Sequence, residues 1–127
     1  DPVRVCFQAT EEVAASHLRQ IKALAEAFKS RGFRFAIERF GGGRDPLGLL
    51  AAMPIDFIKI DGALVQGLAG DVELQQQVRA LGDAATKRSI ETIAERVEDA
   101  NTMAVLWQLG VQFIQGYFVN APEDVHI

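Results

Sequence analysis

Five short apolar runs in this 127-residue chain end in, or are closely followed by, side chains able to hold a charged ligand. Gln8 and Glu11 follow the first run, and Glu38 and Arg39 close the second. Lys59 and Asp61 end the third, Glu95 and Glu98 follow the fourth, and Gln115 ends the fifth. Where parallel sheets with helical cover carry chemistry, it sits at the C-terminal ends of the strands. Carboxylates, carboxamides and cations at every such end fit that rule. A sheet without a site also ends in polar residues, because strand ends meet solvent. The pattern therefore leaves both readings open and names no substrate.

The elements that would position these residues can be read in order. The β-branched, apolar run VRVCFQ at 3–8 predicts a buried strand. Thr10 and Glu11 then introduce one long helix, with Val13, Leu18, Ile21, Leu24, Ala25 and Phe28 at helical spacing and Gly32 as its C′ residue. A second strand at 33–39 runs into Gly41, Gly42 and Gly43. Asp45-Pro46 is a helix start, Asp as N-cap and Pro at the first helical position, and that helix ends near Met53. Strands at 55–60, 89–94 and 111–115 alternate with a helix over 71–87 and one ending at Gly110. Strict βα alternation argues for a parallel sheet covered by helices.

Composition removes several functions. A net charge of −4 provides no basic field for DNA or another polyanion, so a nucleotide partner would be small and locally held. Cys6 is the sole cysteine and reads as an inert, buried thiol, with no disulfide or thiolate metal cluster. No run approaches the roughly 18 apolar residues of a membrane span, and nothing resembles a signal peptide, so a cytoplasmic location is expected. His17 and His126 stand alone and read as surface residues. Asp71, Glu73 and Asp83 read as a solvated helix face, and Trp107 and Met103 as core or interface residues. The N–H groups of the glycine turn 41–43 either cradle a phosphate or belong to a plain flexible turn. Glu11 either caps the long helix or orients Gln8.

Five collinear stretches carry a family resemblance. FQATE at 7–11, FAIERFGGG at 35–43, FIKIDGALVQGL at 57–68, IAERVED at 93–99 and LGVQFIQGYFVNAP at 109–122 occur in this order. They resemble the Glu-x-Thr-Glu, Asp-Asp-Phe-Gly, Lys-Ile-Asp, Ala-Glu-Gly-Val-Glu and Gln-Gly-Tyr motifs of EAL domains, the cyclic di-GMP phosphodiesterase family. The resemblance implies an α/β fold, a TIM-like (β/α) barrel of which this chain, 1–127, carries about the last five strand–helix units. The chain enters strand-like sequence almost at once after Asp1, as an excised fragment does.

The same resemblance implies a two-metal site that is altered here. Gln8 stands at the family's first metal-binding Glu, while Glu38 and Arg39 stand at its Asp-Asp pair. Hard cations such as Mg²⁺ or Mn²⁺ need several converging oxygen ligands. Arg39 opposes this: two unit like charges about 4 Å apart repel by roughly 4 kcal/mol at an effective dielectric of about 20, and a divalent ion doubles that. Arg39 could pair with Glu38 or Glu95, or meet a phosphate. Lys59 and Glu95 match catalytic positions, Glu98 and Gln115 ligand-binding ones, and Asp61 completes the set; Arg96 replaces a family Gly. The pattern is similar to degenerate EAL proteins that regulate type IV pilus twitching motility, bind cyclic di-GMP without cutting it and dock a PilZ-type adaptor.

The expectation is a cyclic di-GMP receptor that acts through protein partners, with no cofactor. The alternatives are a weak phosphodiesterase that uses Mg²⁺ or Mn²⁺, and a docking domain that has lost the nucleotide. A half barrel also leaves open edges and an uncovered face, so the isolated chain is expected to self-associate. Size-exclusion chromatography with light scattering checks this, and a clean monomer at low concentration contradicts it.

Overall fold

In the computed structural model, residues 6–94, 97, 99–111 and 113–114 are described. Five strands run β1 (Cys6–Thr10), β2 (Arg34–Phe40), β3 (Phe57–Ile60), β4 (Glu91–Ala94) and β5 (Phe113–Ile114). They lie side by side in chain order and are all parallel. The helices are α1 (Glu11–Ser16), α2 (Leu18–Lys29), α3 (Pro46–Ala52), α4 (Gly62–Gln66), α5 (Val72–Lys87) and α6 (Ala100–Gln108). No helix among the described residues is long and apolar enough to cross a membrane.

Period-two alternation gives the sheet two unlike faces. Phe7 pairs with Phe35 and Ala9 with Ile37, and Ile37 continues the row to Ile58. These side chains, with Ile60 and Ala94, join the hydrophobic cluster that Ile21, Ala25, Val78, Leu81, Ala85 and Leu106 supply from the helices. The ring of Phe7 stacks between Phe28 and Phe35, its centroid 5.2 Å from each. The residues in between, Cys6, Gln8, Ala36, Glu38, Phe57 and Lys59, fall outside the cluster on the other face. Arg34 lies over the Phe57 ring at 5.2 Å on that face. Cys6 is half-buried rather than buried; burial, partly offset by the Lys59 ammonium, pushes its thiol above the ordinary range.

Local chemistry sets the helix ends. Thr10, Asp45, Asp61, Asp71 and Asp99 each accept a backbone N–H of the following turn. Gly32, Ser89 and Gly110, all at positive φ, end α2, α5 and α6. After each, an apolar residue bonds back to the last turn: Phe33 N–H to Phe28, Ile90 N–H to Ala85 and Val111 N–H to Leu106. Two expectations change. The long first helix breaks at His17, whose φ of −126° and ψ of 48° leave the helical region, so α1 buries Ala14 while α2 buries Ile21 and Ala25. The connector after Asp61 holds α4 and a 3₁₀ turn (Leu68–Gly70) that sink Val65 and Leu68 into the core. His17, Asp71, Glu73 and Asp83 are exposed as expected, and Asp71 also caps α5. Trp107 is 59% exposed, which excludes a core role.

At the N-terminal ends of the strands, Asp56 ties three elements together. Its carboxylate accepts the Phe35 N–H at 2.8 Å and the Lys29 ammonium at 2.8 Å. Its backbone continues the ladder to Phe35 O and from Glu91 N. Asp56→Ala strands a β2 donor as well as Lys29, and urea denaturation should show a loss of about 2 kcal/mol. Lys29→Ala leaves the Phe35 bond intact, and its expected loss is about 0.5 kcal/mol.

Candidate functional site

Three of the strand-end residues meet. From β3, Lys59 reaches back over β2 and donates to Gln8 Oε1 on β1 at 3.3 Å. On β2, between them, Ala36 pairs with Gln8 and with Phe57. Glu38 Oε1 lies 3.9 Å from the same ammonium. One lysine thus sits between the carboxamide of β1 and the carboxylate of β2.

Arg39 goes elsewhere. Between Ile37 and Phe40 the strand takes three steps while its partner β3 takes two, from Ile58 to Ile60. The extra residue is a bulge, and it places Arg39 at a φ of 51°, a left-handed conformation unusual for a side-chain-bearing residue. Bulges re-aim side chains, and Arg39 lines a groove of about 820 Å³ between α1 and α3, with Arg44, Asp45, Asp61, Glu12 and Leu18. Among the described residues Arg39 makes no ion pair within 4.0 Å, so the expected pairing with Glu38 is not formed; Lys59 takes that carboxylate. Asp61 borders the same groove, but one of its oxygens is committed to capping α4 through Ala63 N–H at 3.1 Å.

Glu11 corrects both of its sequence readings. Thr10 caps α1, and Glu11 is 5% exposed with Oε1 accepting the N–H groups of Gly41 at 3.0 Å and Gly43 at 2.9 Å. Two donors of the glycine turn are therefore bound to an internal carboxylate, which removes them from a phosphate cradle. The glycines are required by space: a Cβ on Gly43 would lie 2.7 Å from the Glu11 carboxyl, and one on Gly41, at a φ of 117°, 2.6 Å from Leu64. From α5, Gln77 Nε2 donates to Gly41 O at 3.1 Å, a tether absent from the sequence reading. Its signal in sequence was slight, one amide in a run of three glutamines. Glu95, Arg96, Glu98, Gln115 and His126 lie outside the described residues.

Comparison with known proteins follows this geometry. The family model for the EAL domain matches residues 1–122. The chain is 33% identical over 121 residues to the cyclic di-GMP phosphodiesterase PdeB of Shewanella oneidensis, covering 95% of this chain and 14% of that protein. It superposes with a TM-score of 0.84 and 35% identity on the FimX EAL domain of Pseudomonas aeruginosa bound to c-di-GMP, covering 95% of this chain and 50% of that one. The BlrP1 manganese/cy-diGMP complex of Klebsiella pneumoniae gives a TM-score of 0.85 at 28% identity, over 91% of this chain and 30% of that one. The chain thus spans half or less of these relatives.

Glu11→Ala should free the glycine turn, speeding amide hydrogen exchange at Gly41 and Gly43 and costing about 3 kcal/mol. Glu11→Gln keeps an acceptor oxygen for both donors, so its expected cost is about 1 kcal/mol, and equal effects of the two substitutions contradict this account.

Proposed function

Because the chain belongs to the EAL domain family, we propose that residues 1–127 are the C-terminal portion of one such domain, a receptor that binds cyclic di-GMP without cutting it and signals through a protein partner. The observation that carries this reading is the Lys59 ammonium between Gln8 and Glu38. Those are two of the positions at which the resemblance puts metal-binding oxygens, and here they face an internal cation. The third, Arg39, is itself a cation. A neutral amide, one carboxylate already beside an ammonium, and an exposed guanidinium do not fit two divalent ions.

The same residues suit a phosphodiester. Arg39 carries a planar fork of donors that matches phosphate oxygens, and its charge is not spent on an ion pair among the described residues. Lys59 adds a second cation, while Asp61, Glu98 and Gln115 supply acceptors and an amide for the guanine edges. Glu95 retains the family's catalytic type without the rest of the metal set. The partner class implied by the resemblance is a PilZ-type adaptor, and the exposed edge of a partial barrel also favours association of the chain with itself. Metal-dependent hydrolysis is the second reading. It is favoured by Glu38, a half-exposed carboxylate at a ligand position, and by the manganese in the BlrP1 complex.

Calorimetry on the whole protein that carries this chain, with cyclic di-GMP and with or without Mn²⁺, tests the proposal. Binding should be independent of Mn²⁺ and weaken at least about tenfold in Arg39→Ala, the loss expected for a charge-assisted hydrogen bond. Steady release of linear pGpG in the presence of Mn²⁺ sinks the receptor reading, and absence of nucleotide binding leaves a docking domain.

A further inference from the structure

We propose that Gln77, in α5, is a positioning residue that fixes the direction in which Arg39 meets an anionic ligand. The inference rests on the proposed contact between Arg39 and a phosphate. The segment from Arg39 to Gly43 contains two positive φ angles, 51° at Arg39 and 117° at Gly41. A non-glycine residue in that region is strained, and such backbone persists where its surroundings hold it.

Here the holding groups can be named. Phe40 is fully buried and its carbonyl accepts the Asp61 N–H at 3.0 Å. Gly41 is gripped on both polar atoms: Glu11 accepts its N–H at 3.0 Å, and Gln77 Nε2 donates to its carbonyl at 3.1 Å. Leu81, one turn further along α5, packs against the same glycine, where a Cβ would approach it to 3.1 Å.

Residue type supports the assignment. Gln77 is largely exposed, yet its amide is spent on a backbone carbonyl 36 residues away in the chain. A glutamate would serve an exposed helix face equally well but has no donor for that carbonyl when ionised. The other polar grips on this segment come from α1 and from the start of α4, both next to strand ends. Gln77 instead lies in α5, which contributes none of the strand-end residues. A shift of α5 would therefore pull on the Gly41 carbonyl and turn the backbone from which Arg39 projects.

The test is a double-mutant cycle on cyclic di-GMP affinity, measured by calorimetry in the whole protein. Gln77→Glu and Gln77→Ala should each raise Kd about fivefold, the equivalent of one neutral hydrogen bond. Gln77→Lys, which restores a donor, should bind within about twofold of the unsubstituted protein. In an Arg39→Ala background, Gln77→Glu should have no further effect, because its influence passes through the guanidinium. If Arg39→Ala weakens binding but the Gln77 variants bind normally, or if their effect persists undiminished without Arg39, the inference is overturned and the receptor reading stands. If Arg39→Ala binds normally, the phosphate contact fails and takes this inference with it.

Discussion

A buried carboxylate and a buried amide donor each carry a large desolvation cost, and in this fold they answer one another, with a second, part-buried amide beside them. Glu11 is almost fully enclosed, and its Oε1 takes the N–H groups of Gly41 and Gly43. Removing a charge from water without partners costs several kcal/mol, so neither side can leave without exposing the other to that penalty. The bond closes the end of β1 onto the end of β2, and everything between depends on it. The bulge at Arg39, the burial of Phe40 and the start of α4 at Asp61 all sit within this closure.

The closure also separates two environments that the strand ends would otherwise share. On the face of the sheet away from the hydrophobic cluster, Lys59, Gln8 and Glu38 satisfy each other across three strands. On the far side of the bulge, Arg39 opens toward a groove bordered by α1 and α3. Two cations from neighbouring strands thus have opposite settings, one enclosed by oxygen atoms of the chain and one turned outward. Alternation already sends Glu38 and Arg39 to opposite sides of β2, and the extra residue adds to their divergence.

What the sequence made legible was local. The cap at Asp45, the Gly32 and Gly110 terminators and the parallel sheet with helical cover follow from period and turn chemistry. The five motifs identified the family, and the family model and the superpositions support the partial TIM-like barrel. What escaped was long-range or context-dependent. Glu11 bonds to residues 30 and 32 positions away, and Gln77 to one 36 positions away, separations at which no propensity speaks. The break at His17 interrupts a continuous helical pattern, and Ala14 and Ile21 are buried on separate helices, a tertiary arrangement that propensity does not reveal. Arg39 was expected to pair with Glu38 or Glu95 or to meet a phosphate; the Glu38 pairing fails because adjacent strand residues point apart and the bulge adds to the divergence.

The Asp56 junction stands at the opposite end of the sheet from all of this. It binds β2 through Phe35, α2 through Lys29 and β4 through Glu91, with the length of the strands separating it from Lys59 and Arg39. Architecture of this kind divides labour along the strand axis: one end is a clasp and the other a tool-holder. Substitutions at the tool end leave the clasp, and the strand register it holds, untouched, so that end is free to vary without loss of the fold.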